Sequence, residues 1–141
     1  MANAKDRGLM RLATRSAINL NAAAGSEMSL YQVPLGKSAA ITHCFCRNFS
    51  ATAISAVASF GLYSPPAGNC NQFISDVVFS DIDAVDKCGI VQKAMSDLAG
   101  LPRIKAQDVF TAAQEFGIIV ETAQGAACTC TVDTFGYEWE V

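Results

Sequence analysis

Ser29-Leu30-Tyr31-Gln32-Val33-Pro34-Leu35-Gly36-Lys37-Ser38-Ala39-Ala40-Ile41-Thr42 is the stretch whose reading decides the fold. Leu30-Tyr31-Gln32-Val33 reads as a short strand, and Pro34-Leu35-Gly36 stops it with a turn signal. The chain then continues as a second strand from Ala39 to Asn48. Its residues alternate with period two, Ile41, His43 and Phe45 on one face and Ala40, Thr42, Cys44 and Cys46 on the other.

Toward the C-terminus the same grammar repeats. Ile54–Tyr63 and Phe73–Ile82 read as strands, separated by a loop around Pro65-Pro66. Asp83–Leu98 reads as a short helix on the stripe Ile90, Val91, Ala94, Met95 and Leu98, with a strand opening at Cys88–Val91 as the competing reading. Leu101-Pro102 ends it, and Arg103–Ala106, Gly117–Thr122 and Ala126–Thr134 read as further strands. Phe135–Val141 continues the last strand with Phe135, Tyr137, Trp139 and Val141 on one face. The apolar parity switches beside Gly136, which is the signature of a β-bulge. Short strands broken by Gly, Pro and Asn turns predict an all-β, antiparallel β-sandwich or jelly roll over residues 26–141.

Toward the N-terminus the alternation is lost. Residues 1–25 read as an extended basic arm, with a short helix at Leu9–Leu20 as a variant. Lys5, Arg7, Arg11 and Arg15 stand there against Asp6 alone. Such a segment can be an idle tail, a nucleic-acid contact, or an arm that orders on a partner surface. The last is the expectation, with these four cations as partner-binding residues.

The chain has 141 residues, enough for one domain. Its charged share of 16% falls below the roughly 25% of an average globular chain, so part of the surface is expected to be covered by a partner. A net charge of -3 gives no general affinity for nucleic acid. No apolar run approaches about 18 residues and no secretory leader is recognisable, so neither a membrane nor disulfides are expected. The six cysteines then read as reduced, buried thiols.

Motifs for chemistry fall short. Gly36-Lys37-Ser38 lacks the earlier glycine of a phosphate loop. Cys44-Phe45-Cys46 and Cys128-Thr129-Cys130 could offer four thiolates to zinc. On strands, however, residues two apart are about 6.6 Å from one another, too far for tetrahedral sulfur ligands. His43 has no local partner motif and reads as a structural or interface residue. Asp81, Asp83 and Asp86 read as a solvated loop rather than a calcium site. No catalytic residue, metal or cofactor is expected, and the chain is not read as an enzyme.

The opening stretch Ser29–Thr42 resembles the L-Y-x-V-P-x-G-K-x-A-x-I-T segment of small bacteriophage structural proteins. Arg47-Asn48-Phe49-Ser50-Ala51, Phe60-Gly61 and Val132-Asp133-Thr134-Phe135-Gly136-Tyr137 are similar to that group more weakly. The resemblance implies a strand, a turn and a second strand at 29–42, inside a virion β-sandwich without enzyme activity. It implies homo-oligomers, with a trimer favoured, and a place in the virion after assembly in the host cytoplasm. The expected role is a capsid decoration, or cement, protein that binds the major capsid protein or other virion proteins and bridges subunits. A head–tail, neck or tail component is the alternative, and a carbohydrate- or receptor-binding sandwich module a further one. Phe135, Tyr137 and Trp139 are expected to be interface anchors or core.

Overall fold

A computed structural model describes residues 8–63, 69–84, 86–92 and 109–141. Among the described residues nine strands follow in chain order. They are β1 (Met10–Asn19), β2 (Glu27–Gln32), β3 (Lys37–Arg47), β4 (Val57–Tyr63), β5 (Asn69–Val78), β6 (Gly89–Gln92), β7 (Val109–Thr111), β8 (Glu115–Thr122) and β9 (Thr129–Glu140). One sheet runs β1-β9-β3-β6, with β7 also paired to β3, and the second runs β2-β8-β4-β5. All pairings are antiparallel. Together they make the expected all-β sandwich.

The order of pairing has a simple origin. First pairs with last, β1 with β9; then β2 with β8, β3 with β6 and β7, and β4 with β5. A long hairpin folded at β4–β5 and rolled over once gives this nesting. It is the wiring of a jelly roll. The segment Ser29–Thr42 forms the strand, turn and strand read from its residues: β2, a turn at Pro34–Gly36 where Gly36 takes φ +77°, and β3. The turn carries the chain from the four-stranded sheet into the five-stranded one.

The core lies between the sheets. Phe116 of β8 is its hub, in edge contact with Phe73 at 5.4 Å and Phe110 at 5.7 Å and packed on Phe60 at 6.4 Å. Phe110 comes from the five-stranded sheet and the other three from the opposite one, so this cluster crosses the interlayer. Phe49 and Phe79 close the far end of the core with ring centres 6.0 Å apart.

Three expectations need correction. The segment taken as an arm contributes a ten-residue strand, β1, and Ile18 and Leu20 enter the core. Neither a helix at Leu9–Leu20 nor a boundary at residue 25 therefore applies. Within 83–98, residues Gly89–Gln92 form strand β6, so the competing reading holds there; 93–98 and the strand expected at Arg103–Ala106 lie outside the described residues. Finally, β9 runs from Thr129 to Glu140 without an inserted residue. The extra residues sit on its neighbours, Leu12 and one of Ser16–Ala17 in β1 and Thr42 in β3.

Gly136 is nonetheless the reason for the irregularity. A Cβ on it would fall 2.1 Å from the carbonyl oxygen of Ala40, so β3 closes onto β9 where no side chain intervenes. Thr42 is then the residue left over. The bulge flips the parity of β3, which places Ile41 with Cys44 and Cys46 in the core and leaves His43 and Phe45 on the other face.

Candidate interaction face

β9 and β3 are neighbours along their whole length, and their outward residues build the outer face of the five-stranded sheet. In β9, Cys130 and Val132 point into the core and Thr134 is fully buried. By alternation, Asp133, Phe135, Tyr137 and Trp139 point out. Phe135 lies flat on His43, ring centres 4.9 Å apart and planes 3° apart. Ile90 of β6 sits directly opposite Phe45 of β3 and is 62% exposed. Tyr137 is 39% exposed and Trp139 partly so, while the small residues opposite them, Ala40 and Ser38, stay covered. The aromatic stripe read from the sequence is therefore outside the core, on an apolar face open to solvent.

Polar groups fix this face in place. The Thr42 hydroxyl donates to the Phe135 carbonyl at 3.1 Å and lies 2.9 Å from Nδ1 of His43. Its single proton is spent on the carbonyl, so towards His43 the Thr42 oxygen is left to accept from Nδ1. Beside the stack, Asp133 accepts from Nε of Arg47 at 2.7 Å and from Thr14 at 2.6 Å. Burial acts to raise the Asp133 pKa. The hydrogen bonds from Arg47 and Thr14 and the charges of Arg47 and Arg11 outweigh it and hold the carboxyl below its usual range. Three strands, β1, β9 and β3, are thus tied by one carboxylate.

A second tie joins the two sheets. Glu138 accepts from Lys37 at 2.6 Å and from the Tyr31 hydroxyl at 2.7 Å. Burial pushes the Tyr31 phenol upward, and Glu138 as its acceptor adds to that. Glu138 itself is held low because Lys37 and Tyr31 overcome the opposing effect of burial. The lysine of Gly36-Lys37-Ser38 is engaged in this structural pair.

The thiols lie behind the face. Cys44, Cys46, Cys128 and Cys130 are buried and unlinked, and Cys88 is exposed. Burial pushes the Cys44 and Cys130 thiols up to about 12 and Cys46 well above its ordinary value. Thiols kept neutral in this way are poor nucleophiles at neutral pH. Among the described residues no three histidine, cysteine or acidic side chains are grouped as a metal ion requires. Asp83 is ion-paired with Lys87, and Asp81 and Asp86 are exposed nearby.

Of the cations expected on an arm, Arg11 and Arg15 lie on β1, exposed, while Lys5 and Arg7 fall outside the described residues. Arg11 stands opposite Phe135 at the rim of the aromatic face, where its charge reaches Asp133, whereas Arg15 stands opposite the core residue Val132. Sequence reading missed a groove of about 290 Å³ at the opposite edge, between the end of β5 and β6, lined by Val77, Val78, Asp81, Ile82 and Ile90 among others. It also missed a shallow cleft of about 460 Å³ between β1 and β2, lined by Arg15, Tyr31, Glu115 and Glu138 among others. Both lie between residues distant in sequence, and no local motif announces them. A scan against protein-family models finds no match for this chain, and a search of curated proteins finds none either.

Proposed function

We propose that this protein is a structural component of a bacteriophage virion, a capsid decoration protein that stabilises the head by bridging capsid subunits. The observation that carries this reading is the outer face of the five-stranded sheet, where the His43–Phe135 stack shares one side of the sheet with Phe45, Tyr137, Trp139 and Ile90. Exposed apolar surface of this kind marks interaction sites, and aromatic anchors dominate binding energy. Two further features support it. The Ser29–Thr42 stretch, which resembles phage structural proteins, forms the strand–turn–strand that the resemblance implies. The jelly roll is a fold shared by viral capsid proteins and lectins, an analogy of architecture rather than of activity.

The mechanism is added interface. A standard protein–protein contact buries about 1,200–2,000 Å² in total, and each copy spanning two capsid subunits would oppose their separation under the pressure of packaged DNA. The test is the copy number of this chain in purified virions, by quantitative mass spectrometry. Decoration requires many copies, comparable to the major capsid protein. A few copies per particle would move the protein to the neck or tail, and its absence from particles would end the virion reading.

A further inference from the structure

The cleft between β1 and β2 lies where the two sheets part, and both of its walls are edge strands. Its volume of about 460 Å³ falls in the usual range of small-molecule sites. On one wall Arg15 stands directly opposite the core residue Val132, so its side chain starts on the inner face of the sheet. Arg15 is nonetheless exposed, so the guanidinium leaves the interlayer through the cleft. Among the described residues Lys37, Arg47 and Lys87 are each paired to a carboxylate, and Arg15 has no such partner.

On the other wall Glu115 stands opposite Gln32 and accepts from the Ser29 hydroxyl through Oε1 at 3.1 Å. Its Oε2 accepts from no donor of the chain. The remaining charged group of the lining, Glu138, is already engaged through both oxygens, one with Lys37 and one with Tyr31. The cleft therefore holds one open cation and one open carboxylate oxygen, without an ion pair between them.

The charge balance narrows the ligand. With Lys37 neutralising Glu138, the charges at the cleft sum to zero, which favours neither a simple anion nor a simple cation. A sugar finds no ring to stack on, since Tyr31, the one aromatic of the lining, is 7% exposed. A zwitterion satisfies both walls, its carboxylate in the fork of Arg15 and its ammonium on the open oxygen of Glu115. Leu12, Leu30 and Pro34 complete the lining with an apolar seat for a side chain. In a single amino acid the two charges share one carbon, whereas a short peptide separates them as facing walls require.

We infer that this cleft binds a short free peptide, held by Arg15 at its carboxylate and by Glu115 at its ammonium group. Arg15 points away from the outer aromatic face, so the inference stands apart from the virion reading and holds whatever that face binds.

The test is a nuclear magnetic resonance titration of the isotope-labelled full chain with alanyl-leucine, its N-acetylated form and its C-terminal amide. The wild type should show saturable shifts at the backbone amides of Leu12–Arg15 and Ser29–Gln32. Each capped form, and free leucine, should bind about fivefold more weakly, the scale of one solvent-exposed charge pair. R15Q should bind the free dipeptide as weakly as the wild type binds the amide, and should no longer distinguish those two ligands. E115Q should behave in the same way toward the acetylated form. The capped ligands probe both contacts without any substitution, so a variant that folds poorly leaves the test intact. An absence of saturable shifts in the wild type, shifts confined to other strands, or capped forms that bind as well as the free dipeptide would each overturn the inference. So would displacement of the dipeptide by an equal concentration of a methyl glycoside, which would make the cleft a polyol site.

Discussion

At the scale of single residues, the fold depends on where β3 and β9 meet without a side chain between them. Gly136→Ala would drive a methyl group into the Ala40 carbonyl, and the expected cost is about 1–3 kcal/mol, the range of an overpacked core, measured by denaturant unfolding. The sequence pointed to Gly136 by its change of apolar parity, yet it hid the cause. The parity changes because Phe135, Tyr137 and Trp139 make an outer face apolar, whereas the extra residue is Thr42 on the neighbouring strand. Nothing in β3 alone marks Thr42, since its placement is set by a glycine more than ninety residues away. The carboxylates give a second prediction. Asp133 and Glu138 have folded pKa values below their ordinary ones, so the stability they contribute is present above the unfolded values of about 3.9 and 4.3 and is lost as pH falls through the folded ones. Wild-type melting temperature should fall steeply in that acid range. Asp133→Asn should be less stable at neutral pH and show a shallower acid decline; an unchanged pH profile would remove Asp133 from its tying role.

At the scale of elements, β1 shows most clearly what a local reading misses. Its bulges erase period two, and the spacing of Leu9, Leu12, Ile18 and Leu20 then mimics a partial helix. Only the pairing with β9 makes it a strand, and that partner begins more than a hundred residues later. The bounds of β3 and β8 were readable to within a few residues, although the bulge at Thr42 reassigned the faces of β3. Deleting residues 1–25 removes β1, strips Ile18 and Leu20 from the core and uncovers the edge of β9. The shortened chain should lose cooperative unfolding by circular dichroism and aggregate. An N-terminal arm dispensable for folding would instead leave the transition intact.

At the scale of the whole molecule, the jelly roll buries one aromatic cluster and displays another. Phe116 sits where both sheets meet, and Phe116→Ala should cost about 3–5 kcal/mol in global stability. The buried thiols report on the same interior. Peptide mapping of thiol labelling should find Cys88 modified at once, and Cys44, Cys46, Cys128 and Cys130 only at the rate of global unfolding. Sandwich architecture was legible because turn chemistry and alternation are local. The interaction face was legible only as a list of aromatics, because which side of a sheet faces water depends on what the rest of the chain covers.

The claim that this outer face docks on a virion is tested most directly by hydroxyl-radical footprinting of the chain, free and bound to purified capsids. Phe135, Tyr137 and Trp139 should be labelled in the free protein and strongly protected on the particle. Equal labelling of these three residues in both states, with the chain demonstrably bound, would contradict the account.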